Sequence, residues 1–331
     1  MSQPTKSLSK DNIEEKFNEH FKDQQSLFGK GVMFLPKFKS LPGVEFVPIG
    51  HPELDNALGG GIPKGRVIEI YGPESSGKTT LCLEAIVAFQ KSSFKYVSFI
   101  DQEHALDPKY AEALGVDMDR MPISQPDVGE DALNLAENQV RSGVYSLIIV
   151  DSVDAIQPRS ILEGEIGDSS MGVKARLMSH ACRNLKGYCN KTGTTIIFTN
   201  QIRMKIGVVF GNPETTSGGN ALKFYASQRL DIRKKDVIKC GEEKTGIKTL
   251  VKVVKNKVAP PLKEASVTIN YGTGIDRETA QFDSLVEDGV IVKSGSWYSF
   301  NGERIGQGKD KAIAFYKENE GLFNANKKEK Q

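Results

Sequence analysis

The chain has 331 residues, 38% of them hydrophobic, with 44 Lys and Arg against 42 Asp and Glu. That length and apolar share suit one sizeable core with smaller appendages, and a net charge of +2 argues neither for nor against a nucleic-acid partner, so any DNA surface has to be local. Cysteines 82, 182, 189 and 240 form no C-x-x-C pair and have no histidine at ligand spacing, which argues against zinc and for reduced thiols. The N-terminus has no apolar signal core, and no apolar run approaches a membrane span, so a cytoplasmic protein is expected.

In residues 9–28, Ile13, Phe17, Phe21 and Phe28 recur at close to helical spacing, with Ser9 or Asp11 as N-cap. Such a lone apolar stripe has to dock either on its own core or on another subunit. A new unit begins near residue 41, and GGGIPKG at 59–65 marks a tight connection. Arg66–Thr80, RVIEIYGPESSGKTT, then reads as a buried strand, a glycine-permissive loop and the start of a helix. Its spacing Gly72-x-x-x-x-Gly77-Lys78-Thr79 is that of a P-loop. Backbone N–H groups and a helix N-terminus converge on phosphates, Lys78 reaches the outer phosphates, and the Thr79 hydroxyl meets a phosphate-bound Mg²⁺.

Tyr96–Asp101 is a second strand, followed at its C-terminal end by Gln102-Glu103-His104, where ligands bind in open α/β sheets. Helices over Asp107–Leu114 and Gly129–Ser142 precede Ser146–Asp151, a continuous apolar strand closed by the acid expected to order Mg²⁺ hydration. Gln157–Ser170 reads as a mobile loop. The helix from about Gly172 to Cys189 puts Arg176, Ser179 and Arg183 on one face, either a phosphate grip or an ordinary solvated basic face. Thr194–Asn200 is another buried strand, with Gln201 after it as an amide able to sense a terminal phosphate. Residues 202–220 form a long loop with Arg203, Lys205, Ile206 and Phe210, suited to single-stranded nucleic acid or else a flexible surface loop. From Phe224 to Tyr271 extended runs follow one another, and Lys255 and Lys257 share one side of a strand, guarding an edge or meeting an anion. The rest reads as a short helix, a small strand pair and a last helix near Lys309–Asn319.

The order P-loop, DQEHALDP, LIIVDSV, EGEIGDS and NQIRMKIGVVFGNPETTSGGNALKFYAS resembles the bacterial and phage RecA family of recombinases, from about Gly29 to Lys309. The resemblance implies an α/β fold: a RecA-type P-loop NTPase core with a central, mostly parallel sheet (41–275), an N-terminal helix and linker for subunit docking (1–40), and a small C-terminal α/β domain (276–331). It implies a cytoplasmic, ATP- and Mg²⁺-dependent DNA recombinase that forms a helical filament of itself on single-stranded DNA, hydrolyses ATP between subunits and exchanges strands with homologous duplex. Single-strand-binding protein, loader proteins and a self-cleaving repressor of the LexA type are the further partners implied. Competing functions on the same core are an ATP-gated DNA filament scaffold, a hexameric helicase and a small-molecule kinase.

Roles follow residue by residue. Gly72, Pro73, Glu74, Ser75, Ser76, Gly77, Lys78, Thr79 and Thr80 are implied to hold the phosphates, Asp107, Tyr110 and Tyr271 the rest of the nucleotide, and Thr79 and Asp151 the Mg²⁺. Glu103 is the implied base, Gln201 the γ-phosphate sensor, and Lys255 and Lys257 a pair reaching the neighbouring subunit's ATP. The stretches 163–171 and 202–218 resemble the family's two DNA loops, with Met171, Arg176, Ser179, Arg183, Arg203, Ile206, Gly218, Gly219 and Asn220 at DNA-contacting positions. Arg233, Lys234 and Lys252 resemble a secondary DNA site, where Leu250 replaces a usual basic residue. Lys293 and Lys309 resemble a duplex-capturing patch, and Phe17, Phe21 and Phe224 lie at implied subunit interfaces. The sequence ends in Lys327-Lys328-Glu329-Lys330-Gln331 rather than the acidic tail of bacterial members, which implies weaker restraint on duplex access and raises a phage origin.

Overall fold

The computed structural model describes residues 10–28, 43–165, 172–205, 207, 211–319 and 321–323. Two units divide the chain at Val44/Glu45. The first contains α1 (Lys10–Phe28), on which Phe17 and Phe21 stack with ring centroids 5.8 Å apart. Asp11 lies inside this helix and is not its cap, and Ser9 falls outside the described residues.

The second unit follows the expected order with additions. It runs β1 (Phe46–Val47), α2 (Pro52–Leu58), β2 (Ile62–Pro63), β3 (Val67–Gly72), α3 (Lys78–Ser92), β4 (Tyr96–Asp101), α4 (Pro108–Ala113), β5 (Ile123–Ser124), α5 (Gly129–Ser142) and β6 (Tyr145–Asp151). Then come α6 (Arg159–Leu162), α7 (Val173–Thr192), β7 (Thr195–Met204), β8 (Glu214–Thr216), α8 (Ala221–Tyr225), β9 (Gln228–Cys240), β10 (Glu243–Asn256), β11 (Glu264–Asn270) and β12 (Gly274–Ile275). The C-terminal part is α9 (Arg277–Glu287), β13 (Ile291–Ser294), β14 (Trp297–Phe300), β15 (Glu303–Gln307) and α10 (Lys309–Glu318).

One sheet organises the unit, in the order β12-β11-β10-β9-β3-β7-β6-β4-β5, with β8 hydrogen-bonded to β7 alone. Strands β9, β3, β7, β6, β4 and β5 pair in parallel, and β10 to β12 extend the sheet antiparallel. Alternation along each strand divides the apolar residues between two cores: Ile68, Ile70, Leu147, Ile149 and Ile197 face α3, while Val67, Ile148, Val150, Ile196 and Phe198 face α5 and α7. This is why the strands read as uninterrupted apolar runs. The C-terminal part has its own aromatic core, in which Phe282, Tyr298, Tyr316 and Phe323 meet ring to ring. It is clasped to the sheet by Glu84 of α3, which is fully buried and accepts from Ile275 N and from Arg277.

Three expectations change. Residues 157–170 are not all loop, since Arg159–Leu162 make one helical turn whose first N–H is taken by Glu130. Residues 202–220 are not one long loop: β7 runs on to Met204 and pairs antiparallel with β8, which satisfies the backbone of Ile202–Met204 and narrows the connection to 205–213. The expected C-terminal strand pair is a three-stranded sheet. Among the described residues no helix is long and apolar enough to cross a membrane.

A charge sits in the sheet between β3 and its neighbours. Glu69 is fully buried, takes Asn200 Nδ2 at 2.9 Å and Arg229 Nε at 2.5 Å, and Arg229 in turn lies over the Tyr71 ring. A buried carboxylate is tolerated only while paired. Arg229→Met is expected to cost about 3 kcal/mol and Glu69→Leu with Arg229→Met to recover most of it. Urea unfolding midpoints check this, and an unchanged midpoint in the single variant refutes it.

Candidate functional site

Parallel register fixes the site. Gly72 at the end of β3 lies opposite Gln201 of β7, and Asp101 at the end of β4 lies opposite Asp151 of β6. The C-terminal ends of four adjacent strands therefore converge where the P-loop leaves the sheet. A side chain at Gly72 would bring its Cβ to 2.2 Å from the Ile232 carbonyl, and Gly77 has φ +96° with Ile269 2.4 Å from where a Cβ would stand. The loop can curl this tightly only with glycine at both ends.

Pro73, Glu74 and Ser75 are exposed at the crest of the loop, and Ser76 is buried beneath it. Among the described residues the Ser76 hydroxyl has no hydrogen-bond partner, a donor left over for a ligand. Lys78 Nζ donates to the carbonyls of Gly72 and Pro73 at 3.1 and 2.8 Å, and burial lowers its pKa. Thr79 Oγ1 donates to Asp151 Oδ2 at 3.0 Å, while Thr199 Oγ1 donates to Asp151 Oδ1 at 2.5 Å. Burial raises the pKa of Asp151, against the pull of the Thr199 hydrogen bond. A hydroxyl and a carboxylate are hard oxygen donors, and they fit Mg²⁺ held through water.

A cleft of about 330 Å³ adjoins the loop, lined by Ser75, Gly77, Lys78, Thr79, Thr80, Tyr110, Ile247, Ile269 and Tyr271. Tyr110 Oη lies 3.1 Å from Thr80 Oγ1. Asp107 does not line the cleft: its carboxylate caps α4, accepting from the N–H groups of Lys109 and Tyr110. Ile247 and Ile269, an apolar wall from β10 and β11, were not legible as site residues because they look like ordinary alternating strand positions. Thr249 was missed for the same reason, yet its buried hydroxyl donates to the Ser76 carbonyl at 3.1 Å and ties the loop to β10.

Glu103 accepts from Ser152 Oγ, and from Gln201 Nε2 at 3.3 Å. Asp101, its neighbour in the motif, turns inward to brace Leu106 N and Gln125. Lys255 Nζ donates to the carbonyls of Lys223 and Phe224 at 2.6 and 3.1 Å, and Lys257 Nζ to that of Phe224 at 3.2 Å. Both lysines thus cap the end of α8, and the Phe224 ring is 71% exposed. Burial first, and the charge of Lys257 second, depress the Lys255 ammonium to about 8.

Met171 and Ile206 lie outside the described residues. Arg176, Ser179 and Arg183 line one shallow cleft on α7, and Ser179 donates back to the Ala175 carbonyl. Gly218 and Gly219 both have positive φ, and a Cβ on them would stand 2.8 Å from Val153 and 2.7 Å from Ala175, so the chain passes α7 on its way through Asn220 to α8 with room for glycine only. Most of the other expected DNA cations have partners. Arg233 forks onto Glu214 at 2.6 and 2.9 Å and meets Asp231, Lys252 pairs with Glu264, and Lys309 with Asp283. Leu250 sits directly opposite Arg233 in the β9–β10 ladder. Lys293 lies over the Tyr298 ring, and Lys234 is exposed.

Residues 15–276 match the RecA N-terminal domain and residues 282–328 the RecA C-terminal domain. The chain belongs to the RecA family of recombinases. It is 58% identical over 293 residues to the protein named RecA of Thioalkalivibrio sulfidiphilus, covering 88% of this chain and 85% of that one. Identity to the RecA of Geobacter sulfurreducens is 56% over 299 residues, 90% of this chain and 88% of that one, and to the RecA of Streptomyces ambofaciens 54% over 298 residues, 90% and 80%. In this RecA-family chain the Thr249 bond is a test of how the loop is held. Thr249→Val is expected to weaken binding of a fluorescent ATP analogue about five-fold, since a buried hydrogen bond contributes about 1 kcal/mol. Unchanged affinity shows that the loop is held without it.

Proposed function

We propose that the chain is an ATP-hydrolysing recombinase that assembles as a helical filament on single-stranded DNA, pairs it with homologous duplex and exchanges strands. The observation that carries this reading is the bond from Gln201 to Glu103. Gln201 closes the nucleotide site, and two residues later the same strand carries Arg203, at the start of the 202–218 stretch. A DNA-induced shift of that stretch and a change at the nucleotide therefore act on one side chain.

In this mechanism Lys78, the loop N–H groups and the Ser76 hydroxyl hold the phosphates, and Thr80, Tyr110, Tyr271, Ile247 and Ile269 line the space beside them. Mg²⁺ held near Thr79 and Asp151 supplies charge neutralisation when bound. Glu103 takes the proton of the attacking water. Ser152 and Gln201 both donate to the same oxygen, Oε1 of Glu103, and Gln201 drawn to an outer phosphate oxygen frees that oxygen to accept from the water. Lys255 and Lys257 reach the neighbouring subunit's phosphates and stabilise the charge developing there, so hydrolysis follows assembly. Single-stranded DNA lies along Arg176, Arg183 and Arg203, with the ends of both loops beside it, and duplex or displaced strand contacts Arg233, Lys234, Lys252, Lys293 and Lys309. Each paired cation among these has to exchange a carboxylate for a phosphate. Phe17, Phe21 and Phe224 serve subunit contacts, and the protein acts in the cytoplasm.

Strand exchange between a single-stranded circle and homologous linear duplex, with ATP, tests the proposal. Joint molecules are expected; unwinding of a forked duplex without pairing would instead make this a helicase. Lys255→Ala is expected to abolish DNA-stimulated hydrolysis with nucleotide binding by the subunit nearly intact, and full activity would show that the site is not shared. Lys255 acts as a cation, and in the free subunit burial first and Lys257 second push it down to about 8, so the share of subunits able to enter the assembly with a charged Lys255, and with it DNA-stimulated hydrolysis at limiting protein, should fall as pH rises through about 8. Lys257→Gln removes a like charge and should move that fall to higher pH in the residual hydrolysis, which is lower overall because Lys257 also serves the phosphates. A fall that stays in place assigns it to another group.

A further inference from the structure

Asp154 has no part in the nucleotide site or in the expected DNA contacts, yet it joins both loop regions. It lies in the turn after β6, closed by Ala155 N donating to the Ser152 carbonyl at 3.1 Å. Its carboxylate is mostly covered, at 14% exposure, and grips Arg203 by the fork: Nε donates to Oδ1 at 3.0 Å and Nη2 to Oδ2. Ser217 also hydrogen-bonds this carboxylate, and Lys174 Nζ donates to the Asp154 carbonyl at 2.7 Å. Three segments thus meet on one residue: the start of α7 just after 163–171, and the entry and exit of 202–218.

Charge decides what this does. Arg203 is 59% exposed, so a ligand can reach it from the side away from Asp154. Arg176 and Arg183 make no ion pair among the described residues, whereas Arg203 is neutralised. A cation already paired to a carboxylate releases no counterion when a phosphate arrives, and the carboxylate repels that phosphate. A bidentate guanidinium–carboxylate pair is also well matched in shape, so the phosphate has to break or share it.

We propose that Asp154 sets the affinity for single-stranded DNA, holding Arg203 in a neutral pair that a DNA phosphate has to displace, and so limits loading. This rests on the reading that 163–171 and 202–218 hold the single strand. The same carboxylate ties the two loop regions together until DNA separates Arg203 from it.

The full chain, a labelled oligothymidylate, a nonhydrolysable ATP analogue and constant Mg²⁺ are used in anisotropy titrations across about 50–200 mM salt. Asp154→Asn keeps the shape and an acceptor for Arg203 but removes the charge. It is expected to bind roughly three- to ten-fold more tightly at the low-salt end, with a log–log salt slope steeper by about 0.7, the value for one more phosphate contact on a single strand. Asp154→Glu, which keeps the charge, should stay near wild type and guards against a folding defect. In an Arg203→Gln background the change of slope should vanish. Equal or weaker binding by Asp154→Asn, or the same slope change without Arg203, overturns the inference. Arg183→Ala and Arg203→Gln report the underlying reading: if both leave binding untouched, the strand lies elsewhere and both fall, and if they weaken it while Asp154→Asn has no effect, this inference alone falls.

Discussion

The parallel pairing of β3 with β7, Gly72 opposite Gln201, is the constraint on which the rest depends. Both strands are buried on both faces, so a slip by one residue would exchange Ile68 and Ile70 with Val67 between two different cores. Packing therefore holds the register, and the register puts the P-loop beside the Gln201 amide. The fully buried Glu69, reached from Asn200 on one side and Arg229 on the other, adds a polar lock at the same junction.

From that junction β7 passes without interruption from Ile196 in the core to Arg203 and Met204 at the base of the hairpin with β8. A strand is stiff along its length, and what happens at Arg203 is two residues from Gln201. At the other end of the hairpin, α8 presents its last carbonyls to Lys255 and Lys257. The proposed DNA stretch is thereby fastened at one end beside the proposed nucleotide site and at the other to the lysines proposed to serve a neighbour. Carboxylates occupy many of the cations along this surface, Asp154 on Arg203 and Glu214 on Arg233 among them. The subunit is accordingly less basic where DNA is proposed to lie than its arginine and lysine positions alone imply.

Much of the strand and loop order was legible in residues 66–80, 96–103 and 146–151, because a buried parallel strand has to be continuously apolar and a P-loop has to carry glycine at both ends. The face shared by Arg176, Ser179 and Arg183 followed from helical spacing and is present on α7. Legibility failed where a residue's role comes from a partner far along the chain. Thr249 reads as a polar strand position and holds the P-loop, 173 residues from Ser76. Asp107 is a nucleotide contact by resemblance, and the structure adds that its Oδ1 also caps α4 through Lys109 and Tyr110 N. The stretch 202–220 read as a long loop because nothing in its composition announces that Glu214–Thr216 will pair with Ile202–Met204.

What the sequence determined by itself was the family and the main strands and helices of the sheet, with the P-loop between Gly72 and Thr79, since local periodicity and motif spacing carry those directly. Only the tertiary structure decided which charges face each other. Glu69 with Arg229, Glu84 with Arg277, and Asp154 with Arg203 are separated by 160, 193 and 49 positions. Electrostatic partners are chosen by distance in space and by burial, and neither is written in the local pattern of the chain.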